Sequence, residues 1–183
     1  MPLRRPPVQA AAFTCPILYT DRLVLRPHGA DDFSECNALW SNPDVMRHMG
    51  GRSFTAEEAW RRMIGYAGLW TLLGYGYWLI EEAASGGYVG EAGLADFHRP
   101  FAGKGGFAPE AGWMLLPSAQ GKGFAHEAMT EILRWADENL PFEHTVCMIS
   151  TDHERSLRLA DRLGYRETGS AQYGTRNVRL LLR

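Results

Sequence analysis

The feature that most constrains the fold is a strand-like segment that runs into a glycine-rich loop and then into an amphipathic helix. The strand, residues 107–116, is stopped by Pro117, and the helix is predicted over about residues 123–138. Gly121 and Gly123 stand between them; glycine weakens a helix but lets the backbone approach another molecule closely. The first N–H groups of a helix lack partners within it and carry a partial positive charge. This segment predicts either a plain capped turn or an anion-binding site.

Hydrophobic periodicity along the rest of the chain predicts seven strands and four helices. Thr55 and Glu58 form a capping box at the start of one helix, and Gly74 follows its end. The pattern then changes to period two, which predicts an antiparallel meander of three strands. The predicted strands are 22–27, 76–82, 87–98, 107–116, 144–150, 165–173 and 178–183, and the predicted helices are 29–41, 55–73, 123–138 and 154–163.

This order of elements predicts a single domain with a mixed, mostly antiparallel sheet and helices packed on it, in the α/β (α+β) class. Residues 19–183 form that domain. Residues 1–18 are broken by proline and have no secretory apolar core, so we predict a partly disordered N-terminal tail there.

Composition narrows the class of protein. The net charge of -2 gives no strong basic field, which argues against nucleic acid or an anionic membrane as partner. No segment reaches the ~18 consecutive apolar residues of a membrane span. The three cysteines, Cys15, Cys36 and Cys147, are far apart and form no CxxC pair, so we expect neither disulfides nor a metal site. A reducing, cytoplasmic location fits this cysteine usage.

The loop Gln120-Gly121-Lys122-Gly123-Phe124-Ala125 matches the Q/R-x-x-G-x-G/A pattern of the GNAT superfamily, the acetyl-CoA-dependent N-acyltransferases. The resemblance covers residues from about 20 to 183. Within the superfamily, the chain resembles the ribosomal-protein-type branch. The stretches that carry it, in the expected order, are TDRLVLRP (20–27), SNPDVMRHMGG (41–51), EAGWMLLPSAQGKGFAHEA (110–128) and RLADRLGYRETG (158–169).

The resemblance implies a GNAT fold in which the fourth and fifth strands, 107–116 and 144–150, splay apart. Acetyl-CoA would place its pyrophosphate on the loop and its pantetheine arm against the fourth strand. The implied cofactor-binding residues are Trp113, Met114, Leu115, Gln120, Gly121, Lys122, Gly123, Phe124, Ala125, His153 and Ser156.

The implied reaction is direct attack of a neutral primary amine, of a protein N-terminus or a small molecule, on the thioester carbonyl. The backbone N–H near Leu115 would stabilise the oxyanion. Glu110 is the first candidate for the general base and Glu91 the second, with Asp96 and His98 behind them. For each carboxylate a solvated surface role remains the alternative.

Three positions depart from the family pattern. His153 replaces an asparagine, and Ala160 replaces the tyrosine that protonates the leaving thiolate in many members. Ser156 is the implied substitute acid, with a helix-capping role as the alternative. Met148 replaces a glutamate base of the branch that modifies the alanine N-terminus of a ribosomal protein, which argues against that specific activity.

These departures leave open a second function, a non-catalytic module that binds or senses acyl-CoA. An unrelated anion-binding domain is the third reading. The family also contains many dimers, so a homodimer remains an alternative to a monomer.

Overall fold

The computed structural model describes residues 14–99 and 108–183. Most of the predicted tail, residues 1–13, lies outside the described residues, as do residues 100–106 of the turn RPFAGKGG (99–106) before the fourth predicted strand and the first residue of that strand, 107. The part of the tail that is described packs on the domain: Leu18 is buried, and the indole Nε1 of Trp78 donates to the Pro16 carbonyl at 2.8 Å. The domain therefore includes residues before position 19.

Eight strands of the described residues form one sheet in the order β1-β2-β3-β4-β5-β6-β8-β7. All neighbouring strands are antiparallel except β5 and β6, which are parallel. The strands are β1 (Leu18–Tyr19), β2 (Leu23–Arg26), β3 (Tyr77–Glu82), β4 (Tyr88–Ala95), β5 (Glu110–Leu115), β6 (Val146–Ser150), β7 (Arg166–Tyr173) and β8 (Arg176–Leu182).

Five α-helices connect these strands within the described residues. They are α1 (Phe33–Ser41), α2 (Pro43–Met46), α3 (Ala56–Leu73), α4 (Phe124–Asn139) and α5 (Glu154–Arg162). Two 3-10 turns, Ala30–Asp32 and Pro117–Ala119, precede α1 and follow β5. The predicted mixed fold, the meander β3-β4-β5 and all four predicted helices are confirmed.

Local chemistry explains the ends of the longest helix. The Thr55 hydroxyl accepts from the Glu58 N–H at 3.3 Å, and the Glu58 carboxylate accepts from the Thr55 N–H at 2.8 Å. At the other end Gly74 adopts a left-handed φ of 75° and donates to the Trp70 carbonyl. The predicted capping box and glycine C-cap are both confirmed.

Alternate residues of the central strands serve two apolar layers. Trp78 and Ile80 of β3 pack with the buried stripe of α4, whereas Tyr77 and Leu79 face the layer formed with α1 and α3. This period-two division is what a sheet covered on both faces requires. Sites on the sheet therefore have two distinct surroundings, one on the α4 side and one on the α1–α3 side.

The parallel strands β5 and β6 pair at one register position, Glu110 with Val146. The Val146 N–H donates to the Pro109 carbonyl at 2.9 Å, and beyond this point the strands diverge. The splay that the resemblance implies is confirmed. We call the resulting opening between β5 and β6 the slot.

Two short elements differ from the prediction. The segment after α1 was predicted as a connector, but Asn42 caps α2 through its side-chain oxygen, which accepts from Asp44 and Val45. Strand β1 spans the predicted boundary between tail and domain, and a two-residue strand has too little pattern to be recognised. Trp60 of α3 is exposed, whereas Trp40, Trp70 and Trp78 are buried. Among the described residues no helix has both the length and the apolar character that a membrane crossing requires.

Candidate functional site

The N-terminus of α4 presents a row of backbone N–H groups. Gly121 and Gly123 adopt left-handed φ values of 79° and 84°, and no side chain caps the helix. The first backbone hydrogen bond of the helix runs from Glu127 to the Gly123 carbonyl at 3.1 Å. Within the part of the chain that the structure describes, the N–H groups of residues 121–126 have no hydrogen-bond partner. This row is the donor set of an anion site at a helix N-terminus.

A second set of contacts fixes the conformation of this loop from the edge of the sheet. The Arg22 guanidinium donates to the Lys122 carbonyl at 3.0 Å and pairs with the Glu127 carboxylate at 2.6 Å. Glu127 also accepts from the Thr20 hydroxyl at 2.6 Å and from the Arg22 N–H at 2.9 Å. Although burial opposes it, these hydrogen bonds lower the pKa of Glu127. We call Thr20, Arg22 and Glu127 the loop brace.

Gln120 links the loop to the end of β5. Its amide nitrogen donates to the Leu115 carbonyl at 3.1 Å, and its amide oxygen lies 3.5 Å from a guanidinium nitrogen of Arg155. Lys122 is exposed beside the loop. Two cations, Arg155 and Lys122, therefore flank the row of N–H groups and complement an anion bound there.

The edge of β5 that faces the slot supplies further backbone groups. Leu116 donates to the Val89 carbonyl of β4 at 3.0 Å, and Met114 is paired in register with Glu91. Because antiparallel pairing alternates, the backbone of Met114 faces β4 and that of Trp113 and Leu115 faces the slot. Of the three residues predicted to pair with the pantetheine arm, Trp113 and Leu115 are placed to do so through their backbone.

The hydroxyl of Ser156 lies beside the same strand. The Trp113 indole donates to the Ser156 oxygen at 3.2 Å, and Ser156 is 8% exposed. Because the oxygen accepts this bond, the hydroxyl proton remains available for donation. Ala160, where the resemblance expects a tyrosine, is completely buried in the core. Tyr165 is also buried in the core, and its hydroxyl lies 2.8 Å from that of Thr145.

His153, which replaces the expected asparagine, stacks on a second histidine. Its ring lies 4.0 Å from that of His48, with an angle of 9° between the planes. Burial, followed by the neighbouring His48, lowers the pKa of His153 to about 4. Asp152 lies 3.4 Å from His48 Nδ1 and accepts from the Ser150 hydroxyl at 2.7 Å. The His153 imidazole at the start of α5 is therefore neutral at physiological pH.

Glu110, the first candidate base, lies where β5 and β6 meet. Its carboxylate pairs with Arg99 at 2.7 Å, and its side chain is 14% exposed. Burial raises the pKa of Glu110, and the Arg99 ion pair opposes this. The Arg99 guanidinium lies over the rings of Phe97 at 4.8 Å and Tyr173 at 4.6 Å.

Glu91, the second candidate, is completely buried under α1 and α3. One of its oxygens accepts from the Trp40 indole at 2.7 Å and from the Tyr66 hydroxyl at 2.5 Å, and the other lies 3.4 Å from His28 Nε2. Burial raises the pKa of Tyr66 well above its usual value. Glu91 therefore anchors a buried polar network.

The weaker candidates form a local pair: His98 Nε2 lies 3.4 Å from Asp96, and the His98 side chain is mostly exposed.

His28, Cys36 and Glu91 place potential ligand atoms within 4.8 Å of one another, a cluster that the described residues contain. Both Glu91 oxygens already have donors or a histidine nearby. The expectation of a metal-free site stays a prediction.

Several residues of the site were not expected from the sequence. His48, Tyr66 and Arg99 contact expected residues that lie elsewhere in the chain, and Arg62 bonds to Tyr66 one turn along α3. Local periodicity carries no signal for such contacts. The stretch 41–51, which contains His48, was the one indication, because the resemblance passes through it.

Comparisons with known proteins agree with this geometry. A family model described as an acetyltransferase (GNAT) domain matches residues 22–166. The chain is 28% identical over 158 residues to the uncharacterized N-acetyltransferase YoaA of Bacillus subtilis (strain 168), which is 84% of this chain and 85% of that protein.

Two solved structures extend the comparison. A GnaT-family acetyltransferase from Bordetella pertussis has a TM-score of 0.82 and 32% identity, over 92% of this chain and 99% of that one. RimL, a ribosomal L7/L12 α-N-protein acetyltransferase in complex with coenzyme A, shares the fold, with a TM-score of 0.76 and 18% identity over 92% of this chain and 97% of its own. The expected resemblance is confirmed: this chain belongs to the GNAT acetyltransferase family.

Proposed function

We propose that this acetyltransferase moves an acetyl group from acetyl-CoA directly to a primary amine. The observation that carries the proposal is the adjacency of two features: the free N–H row at the start of α4 and the slot beside Trp113 and Leu115. The N–H row can bind a diphosphate, and the slot can bind an extended arm that contains amide groups. Coenzyme A contains both chemical groups in one molecule.

The residues present fit coenzyme A. No heavy atom lies within 4 Å of the position that a Cβ on Gly121 would take, so the backbone there is open to close approach. The N–H groups of residues 121–126 hold the diphosphate, and Arg155 and Lys122 add positive charge at its rim. The backbone groups of Trp113 and Leu115 bind the arm as a neighbouring strand would. His153, at the position of the family's asparagine, supplies a neutral ring nitrogen beside the arm.

Acetyl-CoA, when bound, supplies a thioester whose carbonyl carbon an amine attacks. The chain contributes the N–H groups of Trp113 and Leu115, which face the slot and stabilise negative charge on the carbonyl oxygen. Binding both reactants in the slot makes their encounter intramolecular.

Glu110 is the base in this proposal. Because its pKa is raised, the pKa of the carboxyl is closer to that of the amine it must deprotonate. Its partial exposure allows contact with an acceptor directly or through one water. Glu91 is fully buried, and one of its oxygens already accepts from both Trp40 and Tyr66. We therefore assign Glu91 a structural role, in the packing of α1 and α3 on the sheet.

Ser156 is the acid. Its hydroxyl proton is available because Trp113 donates to its oxygen, and α5 holds it beside the slot. A serine is a weaker acid than tyrosine, so we expect proton return to the thiolate to depend partly on solvent.

The proposal is tested by following free thiol in a mixture of the protein, acetyl-CoA and a panel of primary amines. We expect amine-dependent thiol release above the hydrolysis background. Gly121→Ala adds a methyl where the diphosphate lies and should raise the KM for acetyl-CoA about tenfold or more.

Gly164→Ala is the matched control, because Gly164 has a similar φ of 89° but lies at the far end of α5. Both variants should lose similar stability, and only Gly121→Ala should lose affinity for acetyl-CoA. Saturable binding of acetyl-CoA without thiol release for any amine would support the non-catalytic alternative. Equal KM values for the two variants would contradict the cofactor placement.

A further inference from the structure

Arg62 of α3 carries a partly buried guanidinium group. It lies on the α1–α3 side of the sheet, where we place the amine acceptor. Its guanidinium carbon lies 4.0 Å from the Trp40 ring centroid, 5.5 Å from that of Tyr66 and 5.7 Å from that of Phe97. Its Nε donates to the Tyr66 hydroxyl at 2.9 Å. Aromatic faces stabilise the cation without neutralising it.

No carboxylate of the described residues forms an ion pair with Arg62, and its two terminal nitrogens have no hydrogen-bond partner there. Segments 1–13 and 100–107 contain no Asp or Glu, so they add no carboxylate. Most arginines of the domain behave differently: Arg26, for example, bonds to both Asp32 and Glu81. Burial opposes the charge of Arg62, but Tyr66, Tyr77 and Glu91 keep its pKa above the usual value.

The position of Arg62 relates it to the reacting groups. Phe97 lies between Arg62, at 5.7 Å, and Arg99, at 4.8 Å, and Arg99 holds the candidate base Glu110. Tyr66 connects Arg62 to Glu91, which is paired in register with Met114 of β5. Arg62 therefore shares the α1–α3 side of the sheet with Glu91, and its charge also acts on the Glu110 carboxyl.

Two further arginines, Arg99 and Arg176, are linked to this region through shared aromatic rings. Arg176 lies near Tyr173 and donates to the His48 carbonyl, and burial lowers its pKa. The Arg99 guanidinium also lies over the Tyr173 ring. Of the carboxylates on this side, Glu110 is paired with Arg99, Glu91 is enclosed by Trp40 and Tyr66, and Asp96 lies 3.4 Å from His98 Nε2.

A guanidinium with two free donors binds a carboxylate through parallel hydrogen bonds, and desolvation strengthens them. A polyamine at this place would meet arginine charges and would be disfavoured. We propose that Arg62 is the anion-binding residue of the acceptor subsite, and that the acceptor is an amino-acid-like amine with a carboxylate close to the amino group. The inference rests on the proposed acetyl transfer at the same site.

The test compares three acceptors that differ in one group: phenylalanine, phenylalaninamide and phenethylamine, with spermidine as a polycation. Thiol release from acetyl-CoA is measured for each. We expect kcat/KM for phenylalanine to exceed that for its amide by about 10- to 100-fold, as a charge-assisted pair supports. Arg62→Met should remove this preference through KM, and Arg62→Lys should restore part of it.

Arg61→Met is the matched control, because Arg61 is the neighbouring residue of α3 and is exposed in an ion pair with Glu57. It should keep the preference of the unaltered protein. A second readout is calorimetric binding of N-acetylphenylalanine and of its amide to the protein saturated with coenzyme A, with tighter binding expected for the acid. This readout decides the inference even if Arg62→Met fails to fold or no amine is turned over.

Equal kcat/KM for the acid and the amide, or spermidine as the best acceptor, would overturn the inference while acetyl transfer stands. No thiol release with any amine would overturn the proposed function, and the binding comparison would still decide the role of Arg62.

Discussion

The Glu110 carboxyl combines burial, an ion pair and a place at the junction of β5 and β6. Because burial raises its pKa, the base form is lost at a higher pH than for an ordinary glutamate. We expect kcat/KM to fall as the pH decreases through this raised pKa. Glu110→Gln should reduce kcat/KM about 100-fold or more and remove this acid limb from the pH profile.

The control for Glu110→Gln is Glu131→Gln. Glu131 is also paired with an arginine, Arg134, at 2.6 Å and is 18% exposed, but it lies on the outer surface of α4. Its substitution should leave the profile unchanged. An unchanged acid limb in Glu110→Gln would assign the base to another group.

His153 makes a residue-scale prediction about stability. Its folded-state pKa of about 4 lies below the ordinary histidine value of 6.5. Between these values the unfolded chain binds more protons, so the residue costs stability as the pH falls through this window and costs nothing above it. His153→Asn should be less acid-sensitive than the unaltered protein by about 1 kcal/mol, a value reduced for the partial exposure of the ring.

Urea unfolding at neutral pH and at about pH 4.5 measures this difference. His126→Asn, at an exposed position of α4, is the control. The same acid sensitivity in His153→Asn and the unaltered protein would show that the stacked pair does not control this loss.

At the scale of elements, the loop before α4 depends on the loop brace of Thr20, Arg22 and Glu127. Arg22→Met removes both the bond to the Lys122 carbonyl and the pair with Glu127. We expect a modest loss of about 1 kcal/mol in the free energy of unfolding, because the pair is half exposed. The larger effect should be on acetyl-CoA, with KM raised about fivefold and kcat nearly unchanged.

Arg134→Met is the control for the brace, since Arg134 contacts Glu131 and Glu138 on the surface of the same helix. If it changes the KM for acetyl-CoA as much as Arg22→Met does, the effect belongs to α4 as a whole and the brace has no special role.

The elements themselves were largely predictable from the sequence, because period and caps act locally. Thr55, Glu58 and Gly74 fix α3 through residues three to four positions apart, and all three behaved as expected. Helix α2 was missed, although Asn42 before Pro43 is a helix-start signal in a four-residue element.

The site was predictable where it uses the backbone and less so where it uses side chains. The row of N–H groups follows from the glycines and the helix start. The contacts of Arg62 with Trp40, or of Trp113 with Ser156, join residues far apart in the chain, so that no local pattern encodes them. The exposure that separates Glu110 from Glu91 likewise depends on the packing of α1 and α3.

At the scale of the whole molecule, ligand binding must increase the free energy of unfolding. In the proposed complex coenzyme A bridges the α4 N-terminus and the slot, so it would tie together elements on both sides of the β5–β6 opening. At a hundredfold excess over its Kd it should add about 2.7 kcal/mol, which raises the Tm by about 5–10 °C for a domain of this size. Inorganic phosphate at the same concentration should give little shift, because it reaches only the N–H row.

Thermal unfolding with coenzyme A, phosphate or neither makes this comparison. An equal shift with phosphate would favour a simple anion-binding domain, and no shift with either would contradict both readings.

The central claim concerns where one molecule lies, and a crystal structure of the complex with acetyl-CoA measures that directly. We predict diphosphate oxygens within hydrogen-bond distance of the N–H groups of residues 121–126 and pantetheine amides paired with the backbone of Trp113 and Leu115. The thioester should then lie in the slot, on the side of Glu110. Acetyl-CoA bound elsewhere on the domain, with the N–H row free of phosphate, would contradict the account.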